Sequence, residues 1–141
     1  MDHVAFMKKE WGFVEKILDG RKIIESRWYK NKYKPWDIIK AGETIYFKNS
    51  GEEVSIKAQA KQVIQFSDLN ESKVRGILNK YGAKIGIENT NEFFKLIKDK
   101  KYCILIFLKN AEKIKPFGIS KKGFGQMASW ITIKSVNKRY D

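Results

Sequence analysis

Residues 17–29 read Ile-Leu-Asp-Gly-Arg-Lys-Ile-Ile-Glu-Ser-Arg-Trp-Tyr, and this stretch decides the fold. Apolar side chains at helical spacing over 9–19 predict a helix, and Gly20 is typical of the left-handed residue that ends one. The β-branched and aromatic residues that follow predict a strand over 22–29. A helix that turns directly into a strand is therefore the centre of the fold.

Two charged side chains of this predicted strand lie on the same face. Alternation places Glu25 and Arg27 on one face, and Lys22 and Trp28 on the other. A carboxylate beside a guanidinium can hold a fork of donors ready for a phosphate or the edge of a base. The same spacing also fits a purely structural ion pair on a sheet face.

The rest of the chain alternates between periods of two and about 3.6 residues. Further strands are predicted at 3–7, 44–48, 54–66, 102–108 and 129–133, and further helices at 71–80 and 92–98. Asn70 is a suitable N-cap for the first of these helices, and Gly82 would lie just past its end. We expect one α+β domain over residues 1–141: a mixed or antiparallel sheet, or small barrel, with two or three helices.

Composition excludes several classes of protein. The chain has 141 residues, one Cys and one His, so neither a disulfide framework nor a Cys or His metal site can be assembled. It contains no phosphate-binding GxxxxGK[ST] loop and no apolar run long enough to cross a bilayer. We expect a soluble, cytoplasmic monomer with no metal, no cofactor and no membrane contact.

The net charge of +13 favours a polyanionic partner. Lysines outnumber arginines 25 to four, so we assign about half of the excess to the amino-acid bias of the genome. The excess is concentrated near the C-terminus, where residues 101–141 carry nine basic and two acidic side chains.

Gly20, Lys22, Glu25 and Arg27 complete the pattern GxKxxExR, which follows the helix and precedes a basic loop and two strands. This arrangement resembles the signature of the ASCH domain family, whose members have PUA-like β-barrels. The resemblance covers residues 3–66, with 102–108 as the closing strand. Residues 67–100 would be a helical insert and 109–141 a basic C-terminal segment.

The resemblance implies a cleft beside the first helix into which Lys22, Glu25 and Arg27 point. It also implies association with RNA or with modified nucleosides, and hydrolytic or ribonuclease activity is attributed to some ASCH-like proteins.

Other candidate binding residues surround this signature. Aromatic residues alternate with lysines from Trp28 to Trp36, where rings could stack on unpaired bases and lysines could hold phosphates, although the tryptophans could equally pack in the core. The remaining candidates are Lys30, Lys32, Lys48, Asn49 and Lys122. Lys48 and Asn49 precede a turn that could present amide groups to an anion or could be only a hairpin, and Lys122 lies in a glycine-rich loop.

We therefore expect an RNA- or modified-nucleoside-binding module. The alternative is a small hydrolase, a nucleoside amidohydrolase or ribonuclease, with Glu25 as general base and Lys22 as cationic stabiliser, proton donor or nucleophile. A third hypothesis is a domain whose basic face contacts an acidic protein.

Overall fold

The computed structural model describes residues 1–136. In chain order its elements are β1 (Asp2–Met7), a 3₁₀ turn (Lys9–Trp11), α1 (Phe13–Asp19), β2 (Ile24–Tyr29), β3 (Thr44–Asn49), β4 (Val54–Phe66), α2 (Glu71–Ile85), α3 (Thr90–Ile97), β5 (Tyr102–Phe117) and β6 (Trp130–Ile133). Residues 137–141, the end of the predicted basic segment, lie outside the described residues.

Within residues 1–136, the six strands form one mixed sheet in the order β2-β5-β4-β3-β1-β6. The β1–β3 pair is parallel and the other pairs are antiparallel. The sheet curls into a half-barrel whose edges are β2 and β6. The predicted α+β class, with a mixed sheet and flanking helices, is confirmed.

Both faces of the sheet are covered. Along β1, Ala5 and Met7 belong to the main core with the helices, whereas Val4 and Phe6 belong to a second cluster formed with residues near the C-terminus. This alternation follows from the two-residue period of a strand. Phe6 therefore faces a different environment from its neighbour Met7.

The helices differ from the prediction at their ends. Gly12, with φ of 66°, adopts the left-handed conformation and splits the predicted helix 9–19 into a 3₁₀ turn and α1. Asn70 caps α2 by accepting from the Lys73 amide, as predicted. The prediction that Gly82 follows the helix is wrong, because α2 continues through it and ends at Gly86.

Two strand boundaries also differ. β2 begins at Ile24 rather than at Lys22. The Lys22 amide donates to the carbonyl oxygen of Lys16 in α1, and the Ile23 amide donates to that of Lys84 in α2. These two amides are therefore bonded to helices and not to a neighbouring strand. β5 is longer than predicted because β4 pairs with it as far as Phe117. Within residues 1–136, no helix combines the length and apolar character that a membrane crossing requires.

Candidate functional site

The charged residues of the signature meet in a buried cluster. One Glu25 oxygen lies 3.1 Å from Lys22 Nζ, and the other accepts from Arg27 Nε at 2.9 Å and lies 2.8 Å from Arg27 Nη2. Burial alone would raise the pKa of Glu25, but the two cations together hold it below its ordinary value. The predicted same-face pairing of Glu25 and Arg27 is confirmed.

Lys22 is sealed beneath this pair. Besides its contact with Glu25, its ammonium group donates to the carbonyl oxygens of Ile24 and Ile85, each at 2.8 Å, and it lies 4.2 Å from the centre of the Phe13 ring. Burial lowers the pKa of Lys22, while Glu25 opposes that shift. Placing Lys22 on the face opposite Glu25 is wrong, because Lys22 precedes the strand and turns under it.

Arg27 bridges the open side of the half-barrel. Its Nη1 donates to the carbonyl oxygen of Ser129 at 3.1 Å, and its Nη2 donates to that of Phe6 at 3.3 Å. The guanidinium also lies 5.2 Å from the centre of the Trp130 ring. Arg27 thereby connects β2 to β1 and to the residue that precedes β6.

A cleft of about 590 Å³ opens above this bridge. Its floor contains Glu25, Ser26, Arg27 and Trp28. Aromatic and aliphatic side chains line one wall, namely Trp11, Phe13, Phe93, Leu96 and Ile97. The loop that precedes β6 lines the other wall, through Lys121, Gln126, Met127, Ala128 and Ser129.

The lysines that line the cleft lack anionic partners. Within residues 1–136, Lys8, Lys100 and Lys121 have no carboxylate close enough for an ion pair. The adjacent Lys9, which does not line the cleft, is paired with Glu52. Among the described residues that line the cleft, the one carboxylate is that of Glu25, which is already paired twice, so this lining has an excess of positive charge.

The predicted basic aromatic loop divides between core and surface. Trp28 is buried and its indole N–H donates to Ser26 Oγ at 3.0 Å, while Trp36 packs edge-on against Tyr102 at 5.1 Å between ring centres. Lys30 and Lys32 are exposed, and Lys32 Nζ lies 6.0 Å from the Trp36 ring centre. Both tryptophans therefore contribute to packing.

Three further predicted residues lie around the cleft without lining it. Lys48 lies beside Phe6, and Asn49 is buried with its amide donating to Glu52 Oε1 at 3.1 Å. Lys122 is exposed, and its neighbour Lys121 lines the cleft instead. Of the predicted set, Glu25, Arg27 and Trp28 line the cleft.

Sequence reasoning missed Lys8, Lys100 and the apolar wall of α3, and in the glycine-rich loop it selected Lys122 rather than Lys121 as the binding residue. Lys121 stands next to the predicted Lys122, so the glycine-rich loop was the available signal, but only tertiary packing decides which lysine turns inward. Within the described 136 residues, no three potential metal ligands of the His, Cys, Asp or Glu type come together.

Comparison with solved structures places this arrangement among known folds. The chain is similar to an ASCH protein from Zymomonas mobilis, with 15% identity, a TM-score of 0.72, and coverage of 97% of this chain and 90% of the other. A tyrosine-to-phenylalanine variant of that protein matches with 14% identity and a TM-score of 0.70, over 97% of this chain and 93% of the other.

A more distant similarity is to the N-terminal domain of McrB from Staphylothermus marinus. The identity is 12% and the TM-score 0.59, with 97% of this chain and 90% of that one covered. No protein-family model matches the sequence, and neither does any curated protein. At these identities the likeness concerns the fold, and the chain has the PUA-like fold of the ASCH domain structures.

Proposed function

We propose that this protein is an RNA-binding module whose cleft accepts unpaired nucleotides, modified ones included. The observation that carries the proposal is the combination of an aromatic wall with lysines that have no carboxylate partner. Bases supply flat apolar surface and the backbone supplies negative charge, so a single strand complements both features.

The dimensions of the cleft suit such a ligand. Its volume of about 590 Å³ falls in the usual range for small-molecule sites. Arg27 at the floor is held by Glu25 and by two backbone carbonyl groups, so its position is fixed before a ligand arrives. A preorganised donor costs less to bind than a flexible one.

The proposed footprint continues onto the loop at 30–36. Tyr29 and Lys100 line the cleft, and the exposed Lys30 and Lys32 follow Tyr29 along the chain. Tyr33 is 44% exposed and packs edge-on against Tyr29. An RNA strand that leaves the cleft on this side would contact a tyrosine ring and two lysines.

Binding of a fluorescent eight-nucleotide single-stranded RNA, measured over a range of salt concentrations, tests the proposal. Each lysine–phosphate contact contributes about 0.7 to the slope of log K against log salt for a single strand. We expect Lys8→Gln and Lys121→Gln each to reduce the slope by about that amount. Lys9→Gln is the matched control, because Lys9 is paired with Glu52 and lies outside the cleft. No binding of RNA, DNA or nucleosides at low salt would overturn the proposal, as would equal effects of all three variants.

The hydrolase alternative ranks second because its two catalytic candidates, Glu25 and Lys22, form an ion pair with each other. A general base needs a free lone pair and a pKa near the working pH, but the pKa of Glu25 is lowered and both of its oxygens are paired. Lys22 donates to three acceptors and does not line the cleft. Turnover of RNA or nucleosides by the wild type, lost in Glu25→Gln while binding is retained, would reverse this ranking. Indifference to RNA and nucleosides alike would favour the acidic-protein partner.

A further inference from the structure

We infer that a phosphate group binds at the rim of the cleft, where Lys121 and Phe6 line it and Lys48 lies beside the Phe6 ring. The inference rests on the proposed function and narrows it, because it makes the ligand a nucleotide bound in one orientation rather than an uncharged nucleoside.

The arrangement depends on the register of two parallel strands. Phe6 of β1 lies opposite Lys48 of β3, so their side chains are neighbours on the same face of the sheet. Lys48 Nζ is 5.3 Å from the centre of the Phe6 ring. Lys121, from the loop before β6, places its Nζ 4.3 Å from the same centre. Two ammonium groups thus lie close to one aromatic ring.

Two neighbouring cations repel each other unless an anion lies near them. Partial burial lowers the pKa of Lys48, and the charge of Lys121 lowers it further. Within residues 1–136, neither lysine has a carboxylate at ion-pair distance, and Lys121 donates to the carbonyl oxygen of Gln126 at 3.1 Å. The ring offsets part of the repulsion through cation–π attraction. A phosphate would remove it, because it supplies charge and several acceptor oxygens.

Other donors line the same part of the cleft. Lys8 directly follows β1, and Ser50 directly follows β3, where its amide donates to the carbonyl oxygen of Met7. Arg27 reaches this part through its hydrogen bond to the carbonyl oxygen of Phe6. The Lys8 ammonium group therefore adds a further cation to this part of the cleft lining.

Other side chains of the cleft lining are apolar. Leu96 of α3 is 58% exposed and Met127 is 95% exposed, and both line the cleft together with Trp11 and Phe93. Exposed apolar side chains at a cleft mouth are suited to a flat apolar ligand surface. We therefore expect the phosphate to lie beside Lys121 and the base to pack on these apolar side chains.

Calorimetric titration with adenosine, adenosine 5′-monophosphate, adenosine 3′-monophosphate and inorganic phosphate tests the inference. We expect the wild type to bind at least one of the two monophosphates at least about tenfold more tightly than adenosine. One hydrogen bond to a charged group contributes a free energy of this size. In the double variant Lys48→Gln/Lys121→Gln this preference for the monophosphate over adenosine should disappear. Lys9→Gln is the control for a lost surface charge, and circular dichroism verifies that every variant is folded.

The outcomes separate this inference from the proposed function. If adenosine and both monophosphates bind the wild type equally while single-stranded RNA still binds, the phosphate site is refuted and the RNA-binding proposal stands. If RNA and all four small molecules fail to bind, both are refuted. If inorganic phosphate binds as tightly as the monophosphates, the oriented nucleotide is refuted, since the base then contributes nothing.

Discussion

Arg27 and Ser129 connect the two edges of the half-barrel through a side chain, where neighbouring strands would use backbone hydrogen bonds. The distance from Arg27 Nη1 to the Ser129 carbonyl oxygen is 3.1 Å. An arginine side chain reaches farther than a backbone amide. It therefore connects the two edges of the sheet while the space between them stays open as the cleft. The same side chain therefore supports the sheet and forms the floor of the cleft.

Replacing Arg27 with Lys tests this bridge while preserving its charge. An ammonium group cannot reproduce the planar fork that reaches Glu25 and two carbonyl groups at once. We expect Arg27→Lys to lower the free energy of unfolding by about 1–3 kcal/mol, as partly buried acceptors lose their donors. Amide hydrogen exchange should accelerate in β6 and at the end of β1. Arg21→Lys is the control, since Arg21 pairs with Asp19 in an exposed position, and equal effects of the two variants would argue against the bridge.

Glu25→Gln should be strongly destabilising even though the two side chains have the same shape. It leaves the buried Lys22 ammonium without its counter-charge, and breaking a buried pair in this way costs about 3–5 kcal/mol. Urea unfolding measures the loss. The double variant Lys22→Met/Glu25→Gln should recover part of it, because the uncompensated ammonium is then gone. Wild-type stability of Glu25→Gln would show that the cluster is not held by charge.

The parts of this site that were predictable are those set by local periodicity. Alternation along β2 correctly placed Glu25 beside Arg27, and the bounds of β4 agree with its apolar pattern. The position of Lys22 was not predictable, because its ammonium binds the carbonyl oxygen of Ile85, which lies in a helix far along the chain. No local pattern specifies such a contact.

The same reasoning explains the errors in the loops. Lys121 and Lys122 are equivalent in sequence, and only the packing of their loop above Phe6 brings Lys121 into the cleft. Gly82 is typical of a helix end, but it is buried within α2, and the left-handed residue that ends this helix is Gly86. Propensity is decisive only where tertiary contacts are weak.

Stability should decrease as the pH falls below about 6.5 because of His3. Its Nδ1 accepts from the Trp130 indole at 3.2 Å, so the ring is neutral and Nε2 donates to Glu43 at 2.8 Å. Burial lowers the pKa of His3 from 6.5, with Glu43 in partial opposition. A lowered folded-state pKa means that the stabilisation is present above the unfolded pKa and is lost as the pH falls through the folded one.

Thermal unfolding between about pH 6.5 and pH 5 isolates this group, because the carboxylates titrate lower and His3 is the only histidine. His3→Gln should flatten the pH dependence in this window, whatever its effect on absolute stability. A slope that persists in His3→Gln would assign the dependence to another group.

Tyr33→Ala and Trp36→Ala should separate RNA binding from packing. Trp36 packs against Tyr102, so we expect its removal to reduce stability by about 2 kcal/mol. Tyr33 is 44% exposed and contacts Tyr29 edge-on, so its removal should reduce stability less than removal of Trp36 does. Loss of one stacked base should weaken RNA binding by about 1 kcal/mol, or about fivefold. Unchanged RNA affinity in Tyr33→Ala would exclude the loop from the footprint.

Gly86→Ala should destabilise the protein more than Gly20→Ala, although both glycines end helices with nearly the same φ, 89° and 87°. An alanine in this conformation costs about 1 kcal/mol at either position. At Gly86 the added Cβ would also lie 3.1 Å from Lys22 Cβ and 3.4 Å from Lys16 Cδ, whereas at Gly20 it meets no atom within 4 Å. Because Lys22 is fixed by its bonds to Ile85 and Glu25, it cannot move aside without breaking the buried cluster. Urea unfolding of the two variants measures the difference directly. Equal losses of unfolding free energy in the two variants would mean that the backbone at the end of α2 shifts to accommodate the new Cβ. The contact between Gly86 and Lys22 would then not be rigid.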